Sequence, residues 1–512
     1  MKNALFPERL YQKQIGRSKS QQQKPQVTPI SLHLRGLRPE PWTKTEPAKA
    51  GFVNLLLRFQ PPVRSFNTVS KLLFLLLPCT LAVGGCAARH AVPGGSNAAS
   101  EPALPTADAT LAAIPTPPAR TAADHGIAKW VGLLRQDAHD DKVWVRLGDT
   151  LMQKPRETAD PRYYGYAEQS YRQALARNPK SADAMTGLAW VASDRNQFDK
   201  STEWASKAVA LNPQDNTAYG LLGDADAAMG RYDDAYTQYQ KMLDIRPDIA
   251  SYSRGAHLLF LDGNSRKAMW LMIKAIKTGS PYAENTAWCR TQLALMLFDQ
   301  GALLPAEQTL GDALKSTPRD AQALATMGMF KAARGNYPLA IAFYKKSIAV
   351  APDLMSLAAL GDLYGLTGDK AEAERQYARV EALHKQNADA GVDDHMQMAQ
   401  FYADHDRNLP QALQLAAQSK ASRNVNDADT LAWCYYKNGR EEEAKAAIQT
   451  ALARHSQDAG ILFHAGMIYA KAGDRVSAGK CLSRALSINP AFSPLGAKTA
   501  ADTLKQLGSQ TT

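Results

Sequence analysis

The chain has no apolar run of the ~20 residues that a membrane-crossing helix requires; the longest candidate, residues 72–83, has only twelve. The phosphate cradle GxxxxGK[ST], the zinc-protease helix HExxH, the nucleophile elbow GxSxG and the dinucleotide turn GxGxxG are all missing. Enzyme classes that depend on those arrangements are therefore set aside. Cysteine is sparse, with five in 512 residues, too few for a disulfide-stapled fold. Acidic residues are scarce at one end: residues 1–85 carry only Glu8, Glu40 and Glu46 against thirteen Lys and Arg. That balance of +10 accounts for nearly all of the net charge of +11 and leaves +1 for everything from Cys86 onward. A near-neutral body has no phosphate-tracking surface, so no nucleic-acid partner is expected.

The short apolar run belongs to a recognisable layout. Arg64 and Lys71 precede it, and "VGGC" closes it at Cys86. Its length suits the apolar region of an export signal. The four closing residues resemble the lipobox of bacterial lipoproteins. That resemblance implies cleavage before Cys86, lipidation of its thiol and membrane anchoring, since two or more acyl chains hold durably. The residue after it is Ala87 rather than Asp, which in that family implies the periplasmic face of the outer membrane. Residues 86–124 are rich in Ala and Pro, show no apolar periodicity and read as a tether. The signal then occupies 63–85. Residues 1–62, basic and without pattern, are either a disordered extension or the product of a start placed too early, with Val63 or Val69 as alternatives.

The remaining four fifths repeat. Glycine is followed five residues later by alanine at Gly230/Ala235, Gly263/Ala268, Gly301/Ala306, Gly335/Ala340, Gly368/Ala373, Gly439/Ala444 and Gly473/Ala478. Seven residues before each glycine stands Gly or Ala: Gly223, Ala256, Ala294, Gly328, Gly361, Ala432 and Gly466. Proline often follows the alanine at a distance of twelve, as at Pro247, Pro318, Pro352 and Pro490. The interval is about 34 residues. Small residues inside a first helix let a second approach, and the later glycine supplies the positive φ of a helix end. The alanine fills the facing position, large residues such as Tyr239, Met272, Leu310, Tyr344 and Tyr377 plug the gap, and proline stops the second helix. Degenerate copies run around Trp144–Pro179, through Asn196 to Pro213, and through residues 391–424.

The spacing resembles the tetratricopeptide repeat and covers 125–508. The expectation is an all-α, right-handed superhelical solenoid of about ten helix–turn–helix units, preceded by a helix near "HGIAKWVGLLRQ" and closed by one near "GAKTAADTLKQLG". In that family the concave wall binds proteins or peptides. Counting from the turn glycines places Trp190, Trp433, Tyr436, Lys437, Phe463 and Met467 on it as candidate groove residues. Packing between repeats is the alternative role for each. The lysine and asparagine pair that grips chaperone tails in eukaryotic relatives is missing, which argues against a chaperone-tail receptor.

No metal or cofactor is expected. His395 and His405, beside Asp394, Asp404 and Asp406, are ten residues apart and out of phase on a helix. Cys289, Cys434 and Cys481 fall within repeat helices and read as free buried thiols. The functional expectation is a non-enzymatic scaffold, lipid-anchored at the outer membrane. Its layout resembles the TadD-type lipoproteins of Flp pilus assembly. The rival is a periplasmic subunit of exopolysaccharide synthesis or export, for which an inner wall rich in aromatics and carboxylates is the distinguishing feature.

Overall fold

A computed structural model describes residues 103–116, 118, 120–279, 283–418 and 424–509. Cys86, residues 63–85 read as a signal, and residues 1–62 lie outside the described residues. Every regular element among the described residues is helical. Ten helical hairpins follow one another, at 141–177, 182–211, 216–245, 249–278, 283–316, 321–350, 354–389, 395–418, 425–452 and 459–488. We call the two helices of each hairpin A and B. The helix Ala122–Gln136 precedes the array and Gly496–Ser509 closes it, covering faces that otherwise have no neighbour.

The recurring small residues do what their spacing predicts. Ala235, Ala268, Ala306, Ala340, Ala444 and Ala478 are all fully buried between the two helices of their hairpins. The turn glycines adopt the left-handed conformation, for example Gly230 at φ 72° and Gly368 at φ 91°, and Asn196 takes the same role at φ 57°. After each turn the chain closes a six-residue ring, as where the Asn336 amide donates to the Lys331 carbonyl at 2.9 Å. A helices start on capping side chains. The Asp215 carboxylate accepts from the amides of Thr217 and Ala218, both at 3.0 Å, a cap worth about 1 kcal/mol.

The glycine inside helix A has a sharper purpose than close helix approach alone. A Cβ on Gly148 would lie 2.5 Å from the Tyr171 ring, and one on Gly223 or Gly361 would lie 2.3 or 2.4 Å from Tyr239 or Tyr377. Where the position is alanine, as at Ala256 and Ala294, the opposing residue is the slimmer Met272 or Leu310, both fully buried. Glycine goes with tyrosine at these three positions and at Gly328–Tyr344, and alanine with an aliphatic chain, whereas Gly466 faces Leu482, which a Cβ would approach to 2.5 Å.

One departure from expectation and one short extra helix have local causes. Within the stretch read as a tether, Ala107–Ala113 forms a helix capped by Thr106. Its Leu111 and the following Ile114 are buried, and Gln173 donates to the Pro105 carbonyl and to Thr110 at 2.7 and 2.8 Å. The insertion after the first A helix forms the short helix Lys154–Thr158. It buries Lys154, whose ammonium pairs with Asp124 at 2.8 Å and Glu157 at 2.7 Å. Burial opposes the Asp124 charge, yet Lys154 and the amides of Arg120 and Thr121 hold its carboxyl down at about 2.

The array also meets itself. The turn of the second hairpin touches the linker before the eighth: the Asp393 amide donates to the Arg195 carbonyl at 2.9 Å. Asn196 donates to the Asp393 carbonyl at 2.7 Å. The third hairpin meets the ninth, where Asn424 donates to the Ala228 carbonyl at 2.7 Å and the Val425 amide to the Tyr232 hydroxyl at 2.9 Å. The fourth meets the linker before the tenth through Arg454 and Asp262, 3.1 Å apart. The fifth meets the end of the tenth, Asn489 donating to the Phe298 carbonyl at 2.8 Å. Each contact joins residues about six hairpins apart, so one superhelical turn takes about six hairpins and the next turn rests on it along a seam. At Gly301, a Cβ would lie 2.4 Å from the Ile488 carbonyl oxygen, so this turn glycine serves the seam as well as its hairpin.

Candidate functional site on the inner wall

Successive A helices pack on one another, whereas successive B helices diverge. The A helices therefore form the concave side, and their inward side chains form the candidate site. Its polar framework is a repeated triplet. The residue after the helix-A glycine is aspartate in the first, third and seventh hairpins, and it accepts the hydroxyl of the tyrosine that the glycine admits. Tyr171–Asp149, Tyr239–Asp224 and Tyr377–Asp362 are each 2.8 Å apart. Two of these carboxylates also bind a basic side chain of a following hairpin. Arg254 binds Asp224 through two guanidinium nitrogens at 2.9 Å, and the His405 Nε2 lies 2.6 Å from Asp362.

Crowding by the wall alters the chemistry of these groups. It raises the Asp149 carboxyl to about 6, with Asp183 adding repulsion against the opposing Tyr171 bond. It also raises Asp194 to about 6, despite the nearby Arg156. Burial opposes protonation of His405 and His464, but Asp362 and Asp429 outweigh it, and both rings lie above the ordinary histidine value. The wall thus has two carboxyls, Asp149 and Asp194, that change charge near pH 6.

Five of the six sequence-predicted groove residues come together in the ninth and tenth hairpins. Trp433 is stacked between Tyr436 at 4.7 Å and His464 at 4.2 Å, with interplanar angles of 12° and 16°. Its indole N–H donates to Asp404 at 2.9 Å, and the residue is only 7% exposed. Trp433 therefore organises the cluster from within, while the half-buried Tyr436 and Phe463 flank it. Lys437 lies 5.4 Å from the Trp433 ring centre and pairs with Asp406 at 2.6 Å. Phe463 packs against Phe492 at 5.5 Å. The Met467 sulfur accepts a contact from the Thr503 hydroxyl at 3.6 Å, so the closing helix covers that end. Trp190 stands apart in the second hairpin, with the Arg156 guanidinium 5.5 Å from its ring.

His464 Nδ1 lies 2.9 Å from Asp429 Oδ2, while Asp429 Oδ1 is buried with no hydrogen-bond partner among the described residues. His395 and His405 engage different aspartates, Asp393 and Asp362. No group of three or more possible metal ligands occurs among the described residues. Cys289 and Cys434 are buried and unpaired, and burial pushes each thiol up to about 12. Cys481, half-buried, is also unpaired. The aspartates of the triplets were not singled out from the sequence. Their signal was available as the dipeptide Gly-Asp at 148–149, 223–224 and 361–362, each with a tyrosine in the partner helix.

Two segments, residues 164–224 and 430–493, match family models of the tetratricopeptide repeat. Among curated proteins, the small glutamine-rich tetratricopeptide repeat-containing protein 2 of Mycosarcoma maydis is 32% identical over 92 residues. The match covers 18% of this chain and 26% of that protein, so the chain spans about a quarter of the relative's length. Among solved structures, PilF of Pseudomonas aeruginosa aligns with a TM-score of 0.33 at 15% identity, covering 40% of this chain and 93% of its own. PilW, a type IV pilus biogenesis factor, aligns at 0.34 and 17% identity, covering 39% and 92%. The repeat matches and the helical architecture agree on a tetratricopeptide-type solenoid.

Proposed function

We propose that this chain is a non-enzymatic scaffold whose inner wall holds a protein or peptide partner at the periplasmic face of the outer membrane. The observation that carries the reading is the cluster of Tyr436, Lys437 and Phe463 around the fixed Trp433, where aromatic anchors stand beside a cation on the concave side. Pre-stacked rings present contact area with little ordering left to do on binding. The anchor is the diacylglycerol thioether on Cys86, with the following Ala/Pro-rich segment as spacer. The lipobox pattern supports it, and the layout of signal, cysteine, spacer and repeats is that of a pilus- or secretin-assembly lipoprotein.

Site-specific photo-crosslinking in intact cells tests the wall. A benzophenone side chain at Tyr436 or Lys437 is expected to capture one common partner, while the same group at exposed Lys346 on a B helix captures none of it. Equal capture from Lys346 overturns the assignment. Palmitate labelling that persists in Cys86→Ser overturns the anchor.

The second reading, a polymer-guiding subunit of exopolysaccharide synthesis or export, is favoured by one observation. The wall combines carboxylates at Asp149, Asp194 and Asp404 with aromatic rings. Such a wall selects a cationic amino-sugar chain over a neutral one. Titration with glucosamine oligomers beside fully N-acetylated oligomers distinguishes them: tighter binding of the cationic series supports this reading, and no binding of either removes it.

A further inference from the structure

The seam between the two superhelical turns is not uniform along its length. Toward the closing helix it is mostly dry, the partly exposed Arg454–Asp262 pair apart. Tyr232 and Leu259 share a core with Val425, Ala428 and Ile461. Asn489, 1% exposed, reaches across to the Phe298 carbonyl. Parting that section exposes apolar surface and strands buried polar groups, both costly.

At the other end the same seam is wet. The second hairpin meets the linker before the eighth through one backbone bond and the amide side chains of Asn196 and Gln197, which donate to Asp393 and Gly391 carbonyls at 2.7 and 2.6 Å. Both side-chain bonds are exposed to solvent. A cavity of about 420 Å³ opens directly beside them, lined by Asp199, Lys200, Met229, Met396, Gln397 and Asp427 among others. Water already reaches these groups, so their bonds exchange for water at little net loss.

We propose that this wet end is a latch: the turn at 195–197 parts reversibly from 391–393 while the dry section holds, opening the closed superhelical turn sideways to the inner wall. A closed turn admits a partner only along its axis, so lateral opening allows a segment in the middle of a long chain to enter. The dry section acts as the hinge, and its intact core sets how far the opening extends. Local opening of this kind costs a fraction of global unfolding and is read by amide exchange. The inference concerns movement of the chain itself, so its test needs no partner and stands apart from the functional reading above.

The experiment is hydrogen exchange with fragmentation on the full chain, resolving the Asp393 and Val425 amides, which each cross the seam once. The expected result is exchange at Asp393 at least about tenfold faster than at Val425. In Asn196→Gly/Gln197→Ala, where glycine keeps the left-handed turn at 196, the Asp393 amide is expected to speed up by about a further tenfold, with Val425 unchanged and the same melting temperature, since two exposed bonds are lost. Gln197→Ala alone gives a smaller change in the same direction. Equal protection of the two amides in the unaltered chain, or a variant that shifts both together, overturns the latch and makes the seam one rigid interface.

Discussion

Replacing Gly223 by alanine places a methyl carbon 2.3 Å from Cε1 and 2.5 Å from Cδ1 of the Tyr239 ring. The ring is 3% exposed and its hydroxyl is tied to Asp224 at 2.8 Å, so it has nowhere to move without breaking that bond. Overpacking costs about 1–3 kcal/mol, and a lost hydrogen bond to a carboxylate about 1.5–3 kcal/mol. Better helix propensity returns about 1 kcal/mol. The expected net loss is about 1.5–5 kcal/mol. Because long arrays need not unfold in one step, the readout is urea-dependent amide exchange of peptides within 216–261, beside the overall circular-dichroism transition. The second arm is Gly223→Ala with Tyr239→Met, which reproduces the Ala256–Met272 pairing of the adjacent hairpin and is expected to recover at least about half of the loss. A Gly223→Ala protein as stable as its parent refutes the reasoning. So does a double variant whose cost equals the sum of the singles.

Other consequences are equally open to measurement. The Asp149 carboxyl is raised to about 6, so the folded state loses stability as pH climbs from near 4, where the unfolded acid ionises, to about 6, and the loss then stays constant. Asp149→Asn keeps an acceptor for Tyr171 and is expected to raise the urea midpoint at pH 8 but not at pH 3.5; equal effects at both pH values exclude the mechanism. The His464 ring is raised through Asp429, and its stacking partner Trp433 and the nearby Asp404 and Asp458 face the same ring. Its stabilisation is therefore complete below about 6.5 and is lost as pH rises through the folded value. Asp429→Asn should flatten that dependence in the tenth hairpin, and an NMR titration of the ring with an unshifted midpoint would contradict it. Asn489→Ala removes a buried bond to the Phe298 carbonyl and should cost about 1–3 kcal/mol, seen as faster exchange in the fifth hairpin rather than only near residue 489.

The hairpins were legible in the sequence because each rests on neighbours close along the chain. The Gly and Ala positions report contacts within one repeat, and Ala235 or Ala444 needs nothing distant to explain it. The cluster around Trp433 was legible for the same reason, since its members come from adjacent A helices. Its inner order was not: whether Trp433 faces outward or is clasped between Tyr436 and His464 depends on the angle between hairpins, which no single position encodes. The seam was illegible for a stronger reason. Small rotations at every hairpin accumulate over about 190 residues before the chain meets itself, and the meeting residues, Asn196, Asn424 and Asn489, look like ordinary turn and cap residues. The short helix at Ala107–Ala113 was hidden by composition: alanine among prolines is compatible with either state, and Gln173, more than sixty residues away, decides it.

The lap length of about six hairpins makes the number of units count in whole steps. An array that stopped at the seventh hairpin would never reach back to its own beginning, leaving the glycine corners at 263 and 301 bare. Loss of a single middle unit would bring the wrong corner beneath every later linker. Lengthening or trimming by whole hairpins is usually the easiest change such chains undergo, yet here it must respect the circumference.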